Sequence, residues 1–271
     1  MKTVFLTSLA LLSLAAPLAA AETSAPVTLI ATPVPVTVVQ AGQLLDRPGQ
    51  PARGPSTIII RGDRIESIVA GIVPGPAGAR IIDLSDRFVL PGLIDSHIHP
   101  VIGDYTPRQQ QLNWIDSTLH GGVTTLISAG EVHMPGRPKD IVGLKAMAIA
   151  AQRWYENFRP SGVKVHAGAP VIEHGMVEQD FKDLAEAGVT LLGEVGLGTV
   201  KDGKTAQQMV GWARKYGIQS TIHTGGPSIP GSGLIDADMV IETGTDVIGH
   251  INGGHSALPD DQIICLCESC L

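Results

Sequence analysis

The chain has 271 residues, of which 44% are hydrophobic and 17% charged, and these proportions exclude a disordered or fibrous protein. Aromatic residues make up only 4%, so the core must be mostly aliphatic. The formal net charge is −7 and no basic stripe is present, which argues against a nucleic-acid-binding protein because nothing would neutralise phosphates.

The first 21 residues have the features of an export signal. Lys2 gives a positive start, residues 4–16 are uncharged and mostly apolar, and residues 19–21 are the small residues of a signal-peptidase site. The apolar run is shorter than the roughly 20 residues that span a bilayer, and no later stretch could be a membrane span. We therefore expect cleavage after Ala21 and an exported, periplasmic or secreted protein; a buried N-terminal helix is the alternative.

Residues 22–88 have the composition of a β-rich lobe. A turn-like Arg61-Gly62-Asp63-Arg64 separates two apolar runs, which predicts a hairpin. The predicted strands cover residues 27–30, 34–39, 56–60, 65–69 and 80–84. We predict that they form a small N-terminal β-sandwich lobe.

From residue 89 onward, short apolar strands alternate with helical patterns. The strands are predicted at residues 93–96, 123–128, 163–167, 191–195, 220–223 and 246–250. The helices are predicted at residues 108–120, 140–157, 178–187, 204–216 and 235–243, and the chain ends in a helix after the sixth strand. Such alternation predicts an α/β protein with a parallel sheet. We predict that residues 89–271 are a (β/α)8-type TIM barrel of which six strand–helix units are present. An open dinucleotide-binding fold is disfavoured because no Gly-x-Gly-x-x-Gly follows the first strand.

The strongest chemical signal is the pair His97 and His99 at the end of the first barrel strand. Side chains alternate along a strand with a period of two, so both imidazoles point the same way. At the C-terminal mouth of a barrel, where active sites lie, both can reach one cation.

Three more residues that commonly bind metals occur at later strand ends: Glu194, His223 and His250. Each alone could be a buried polar group without a function. Four histidines and one carboxylate at the same barrel mouth are better explained as a site for zinc, iron or manganese, and the carboxylate could bridge two ions.

This set of residues resembles the amidohydrolase superfamily, and within it the enamidases, which hydrolyse a cyclic amide. The resemblance covers essentially the whole mature chain and includes Pro91-Gly92-Leu93-Ile94-Asp95-Ser96-His97-Ile98-His99, Gly193-Glu194-Val195-Gly196, His223-Thr224-Gly225-Gly226 and His250-Ile251-Asn252-Gly253-Gly254. It implies two divalent metal ions, zinc or iron, with Glu194 as the bridging catalytic residue. By the same resemblance one ion is held by His97 with His99 and the other by His223 with His250.

Several other candidates have weaker support. Many relatives use a carboxylated lysine as the bridge, but Lys164 lies near the start of the third strand and so at the wrong end of the barrel. His120 is predicted to end a helix, and His166 has no matched role. His133, His174 and His255 could line the pocket. The cluster Cys265, Cys267 and Cys270 is a weak case for a metal site because no zinc-ligand spacing accompanies it.

The resemblance implies that a metal-activated hydroxide attacks the amide carbonyl and that a base delivers a proton to the leaving nitrogen. In the superfamily this base is an aspartate after an eighth strand, which this sequence lacks. Three readings therefore remain: a cyclic-amide hydrolase, an exported Xaa-Pro metallopeptidase of the same superfamily, and a non-catalytic metal-binding fragment. The first and sixth strands would have unpaired edges, so we expect residues 22–271 alone to be poorly soluble and nearly inactive. The partner is a small molecule, and the sequence leaves a homo-oligomer open.

Overall fold

The computed structural model describes residues 34–100, 111–131, 134, 136–251 and 257–269. The chain divides into two compact units, with the boundary between Leu90 and Pro91. The predicted export signal, the predicted strand at residues 27–30, and His133, His255 and Cys270 lie outside the described residues.

The first unit contains one four-stranded sheet with the order β3-β2-β1-β4. Its strands are β1 (Val36–Leu44), β2 (Ser56–Arg61), β3 (Arg64–Ala70) and β4 (Arg80–Val89). The predicted hairpin is present: β2 and β3 pair antiparallel, and the turn contains Gly62 with a φ of 62°. Strand β4 pairs with β1 in parallel. The described residues of this unit form a single sheet, so the sandwich stays a prediction.

The second unit alternates strands and helices. The strands are β5 (Leu93–Ile98), β6 (Val123–Ser128), β7 (Lys164–His166), β8 (Leu191–Val195), β9 (Gln219–Ile222) and β10 (Val247–Ile248). The helices are α1 (Gln111–His120), α2 (Ile141–Asn157), α3 (Glu178–Glu186), α4 (Gly203–Lys215), α5 (Ala237–Thr243) and α6 (Asp260–Ser269), with one 3-10 turn at Pro160–Gly162.

The six strands of the second unit form two three-stranded parallel sheets, with the orders β5-β6-β7 and β10-β9-β8. Two backbone hydrogen bonds link them near their C-terminal ends: the Gly193 N–H donates to the Pro170 carbonyl at 2.9 Å, and the Glu194 N–H donates to the Ala129 carbonyl at 2.7 Å. The predicted strand–helix alternation of a TIM-barrel-type fold is confirmed, and all six strands point towards one rim.

The helices form where local signals start and stop them. Asp202 caps α4, since its side chain accepts from the Thr205 N–H at 2.8 Å, and Gly217 follows the helix with a φ of 76°. Helix α3 buries Phe181 and Leu184 completely. Both belong to the larger core cluster, in which α3, α4 and α5 pack against β8 and β9.

None of the helices among the described residues is long and apolar enough to cross a membrane. Cys265 and Cys267 lie on α6 as exposed free thiols. Neither belongs to the group of possible metal ligands found within the described residues.

Replacing Phe181 with alanine should strongly destabilise the second unit. Its side chain is fully buried and its ring centroid lies 5.9 Å from that of Trp212. The cavity left by such a truncation typically costs about 3–5 kcal/mol. Urea denaturation should show this loss, whereas Val142→Ala on exposed α2 surface should change the free energy of unfolding by less than about 0.5 kcal/mol. Equal effects of the two substitutions would show that this core is not packed as described.

Candidate metal centre

The five candidate ligands come from four strand ends at one rim of the second unit. His97 is on β5 and His99 follows that strand directly. Glu194 is on β8, His223 follows β9, and His250 lies two residues after β10. Because these strands are parallel, their C-terminal ends bring residues distant in the sequence to the same rim.

All four imidazoles surround the carboxylate of Glu194, which is 2% exposed. Its Oε1 lies 2.9 Å from His250 Nε2, 3.2 Å from His97 Nε2 and 3.5 Å from His223 Nδ1. Its Oε2 lies 3.4 Å from His99 Nε2. Tetrahedral ligands about 2 Å from one ion are roughly 3.3 Å apart, so these spacings suit atoms that share a cation.

Two of the rings have their tautomers fixed by backbone carbonyls. The Nδ1–H of His99 donates to the Gly130 carbonyl at 2.8 Å, and the Nε2–H of His223 donates to the Gly226 carbonyl at 2.9 Å. In the neutral rings, the nitrogens that face Glu194 therefore carry lone pairs. A lone pair opposite a carboxylate oxygen is repulsive unless a cation lies between them, and a carbonyl behind the ring is the usual partner of a metal-bound histidine.

Buried ring nitrogens without hydrogen-bond partners among the described residues also indicate a metal site. Both ring nitrogens of His97, Nδ1 of His223 and Nδ1 of His250 are buried and make no hydrogen bond among the described residues. Such atoms are costly unless something satisfies them. His97, Glu194 and His250 offer ligand atoms that lie within 4.8 Å of one another. A set of imidazoles and one carboxylate therefore fits a divalent transition metal.

The electrostatics keep Glu194 ionised. Burial alone would raise the pKa of its carboxyl, but when protons rather than a metal ion lie on the facing nitrogens, the close His223, His250 and His97 rings outweigh this and lower the pKa well below its usual range. The same contact with Glu194 raises the pKa of His250, against the effect of burial.

Gly249 is a residue that the sequence analysis missed. A Cβ at this position would lie 2.7 Å from His97 Cε1, 2.9 Å from the Ile222 carbonyl oxygen and 3.0 Å from Glu194 Oε1. Only glycine therefore lets the backbone pass this close to the ligands. The next residue, His250, has a φ of 32°, a left-handed conformation that is strained for a residue with a side chain. The available sequence signal for Gly249 was its position immediately before the candidate ligand His250.

Glu131 was also missed. It is 1% exposed and lies three residues after the end of β6, at the same rim. Burial raises the pKa of Glu131 to about 7, although the Gly168 N–H, the Ser128 hydroxyl and the Ala169 N–H act in the opposite direction. A carboxylate close to the C-terminal end of a barrel strand is the same kind of signal that identified Glu194.

The other candidates lie elsewhere. Lys164 is exposed at the start of β7, where it lines a cavity of about 350 Å³ together with His166. Burial lowers the pKa of His166, and the Lys164 and Arg159 charges lower it further. His120 ends α1 as predicted. His174 is exposed, and its backbone N–H donates to the Thr199 hydroxyl at 2.8 Å.

Comparison with known proteins places the chain in a family. An enamidase from Eubacterium barkeri is 49% identical over 214 residues, which are 79% of this chain and 55% of that protein. A solved enamidase, described as a member of the amidohydrolase superfamily, matches with a TM-score of 0.77 and 45% identity over 84% of this chain and 60% of its own. The chain belongs to the amidohydrolase superfamily and resembles its enamidases. No family model matches.

More distant solved structures show a shared architecture alone. A Xaa-Pro dipeptidase structure matches with a TM-score of 0.53 and 18% identity over 86% of this chain and 65% of its own. The chain spans a little over half the length of the enamidases it matches.

Replacing Gly249 with alanine should disrupt the candidate centre. The added methyl group would lie 2.7 Å from His97 Cε1 and 2.9 Å from the Ile222 carbonyl oxygen, closer than Cβ atoms come in real structures, and 3.0 Å from Glu194 Oε1. We expect zinc affinity, measured by competition with a chromophoric chelator, to fall by at least about tenfold. Substitution of groups that orient metal ligands typically has an effect of this size. Gly211→Ala, where a methyl group meets nothing within 4 Å, is the matched control. Unchanged affinity in Gly249→Ala would contradict this account of the centre.

Proposed function

We propose that this protein is a binuclear metal-dependent amidohydrolase that hydrolyses the C–N bond of a cyclic amide. The observation that carries the proposal is the convergence of four imidazoles on one buried carboxylate. The 49% identity to an enamidase supports the substrate class. His97 and His99 would hold one ion, His223 and His250 the other, and Glu194 would bridge them.

The protein's own residues prepare this site for a cation. Backbone carbonyls hold His99 and His223 in the tautomers that present lone pairs, so no proton need be displaced from these two rings. Glu194 is kept ionised despite its burial. Divalent ions bound in such a site activate water as a nucleophile and polarise a carbonyl oxygen.

The proposed reaction adds one water across the ring amide. The ring C–N bond breaks, the water oxygen forms a new bond to the carbonyl carbon, and a proton goes to the leaving nitrogen. The proton shuttle implied by the resemblance, an aspartate after an eighth strand, is not part of the six strand–helix units. Glu194 is committed to the four imidazoles, which leaves it poorly suited to carry that proton.

The competing readings have less support. The Xaa-Pro peptidase rests on a likeness of 18% identity, which supports a shared fold and no more. In the non-catalytic alternative, the same ligands bind metal but the protein does not hydrolyse a substrate. This alternative is distinguished from the proposal by hydrolysis alone.

The test is metal content and hydrolysis by protein produced from its complete reading frame. Samples loaded with zinc or ferrous iron should bind two ions per chain and open a lactam or cyclic imide, with the product one water heavier by mass spectrometry. His97→Ala should weaken metal affinity by more than about 100-fold, because even groups outside the ligand set contribute about 10–100-fold. His120→Ala, at an exposed helix end, is the control and should change neither property.

Each outcome of this test separates the readings. Two bound ions with lactam opening support the proposal. Metal binding without turnover of any cyclic amide would favour the non-catalytic reading, and cleavage of Xaa-Pro dipeptides in preference to lactams would favour the peptidase. Hydrolysis that persists in His97→Ala would remove the proposed centre from the reaction.

We also propose that the protein is exported with cleavage after Ala21, on the basis of Lys2, the apolar run and the small residues before the cleavage point. N-terminal sequencing of material from the periplasm or medium should begin at or near Glu22. Replacing residues that precede the cleavage point, as in Ala19→Arg with Ala21→Arg, should leave the precursor uncut. An exported protein that retains Met1 would refute the proposal.

A further inference from the structure

We propose that Glu131 is a positioning residue for the metal centre: it fixes the rim segment 128–131, whose carbonyls hold His99 and Glu194 in place. This inference rests on the proposed function, since it assigns a role towards the ions that those residues would bind. Glu131 acts on these ligands through the backbone, by way of its contacts with Ser128, Gly168 and Ala169.

Two consecutive carbonyls of the rim segment contact the centre. The Ala129 carbonyl accepts the backbone N–H of Glu194 at 2.7 Å. The Gly130 carbonyl accepts Nδ1–H of His99 at 2.8 Å. One short stretch of backbone therefore fixes the backbone position of Glu194 and the orientation of the His99 ring.

Glu131 anchors this stretch to the end of β7. Its Oε1 accepts the Gly168 N–H at 2.7 Å and the Ser128 hydroxyl at 3.1 Å, and its Oε2 accepts the Ala169 N–H at 3.0 Å. The Ser128 oxygen in turn accepts the Gly130 N–H at 3.0 Å. The rim segment is thus held at both ends, and the Gly130 carbonyl cannot rotate without breaking this network.

The chemistry of the anchor requires a carboxylate. All three groups that meet Glu131 are donors, and both of its oxygens accept. An amide keeps one acceptor oxygen but turns an NH₂ group towards at least one N–H, which leaves two donors opposed. Gly168 has a φ of 86° and packs so closely on α2 that a Cβ would lie 2.5 Å from the Ala148 carbonyl oxygen, so this backbone has little room to adjust.

A buried glutamate at the same rim provides a matched control. Glu173 is 2% exposed, accepts the Thr199 N–H at 2.8 Å and pairs with Arg137 at 3.3 Å. These two partners of the Glu173 carboxylate belong neither to the rim segment nor to the five candidate ligands. Glu173→Gln therefore alters a buried carboxylate of the same type without altering the support of His99 and Glu194.

The experiment compares Glu131→Gln, Ser128→Ala and Glu173→Gln in protein loaded with cobalt(II), whose visible absorption reports ligand geometry. We expect the spectrum of Glu131→Gln to shift and its zinc affinity to fall about 10–100-fold, the range typical of groups that orient metal ligands. Ser128→Ala removes one of the three donors and should produce a smaller change in the same direction. Glu173→Gln should keep the wild-type spectrum and affinity even if its thermal stability falls.

The outcomes separate this inference from the function on which it rests. Wild-type protein that binds neither cobalt nor zinc would overturn the proposed function and this inference with it. Wild-type binding with an unchanged spectrum in Glu131→Gln would overturn the inference alone, as would an equal shift in Glu173→Gln, which would indicate general loosening of the rim. If Glu131→Gln does not fold, Ser128→Ala decides, and an unchanged spectrum there would count against the role of Glu131.

Discussion

A carboxylate buried among four imidazoles is the constraint on which the second unit depends. Removing an ionised group from water costs several kcal/mol unless neighbours compensate. Glu194 has no lysine or arginine partner among the described ion pairs; its neighbours are histidines, two of which present lone pairs to it. The arrangement is balanced only when cations occupy the space between the carboxylate and the rings. This buried charge therefore has its natural partner in a metal ion.

Bringing these groups together also places demands on the backbone. The C-terminal ends of β5, β8, β9 and β10 must be aligned so that their side chains meet. The hydrogen bond from the Glu194 N–H to the Ala129 carbonyl contributes to this alignment between the two sheets. His250 adopts a left-handed φ, a conformation that costs on the order of 1–3 kcal/mol. The absence of a side chain at Gly249 leaves room for the His97 ring. The surrounding core supplies the stability that holds these unfavourable local features.

The sequence predicts those parts of this design that depend on local periodicity. The alternation of strands and helices is local, and the period of two in a strand is enough to place His97 and His99 on one face. The role of Glu131 depends on contacts with Gly168 and Ala169, 37 and 38 residues away, which no local pattern reveals. The requirement for Gly249 likewise arises from the approach of His97, on a different strand. The predicted sandwich relied on β-propensity alone, which indicates strands but not how sheets stack.

Three buried carboxylates at this rim are compensated in three different ways, and the differences explain why only one suits a cation. Glu173 is paired with Arg137, whose charge would repel a metal ion. Glu131 is surrounded by N–H and O–H donors that occupy both of its oxygens, and the absence of a cationic partner among its described contacts agrees with its raised pKa. Glu194 faces rings instead, and at least two of them present lone pairs that can bind the same ion as its oxygens. That Glu194, and neither of the other two carboxylates, suits a metal ion thus follows from what neutralises the other two as much as from the histidines themselves.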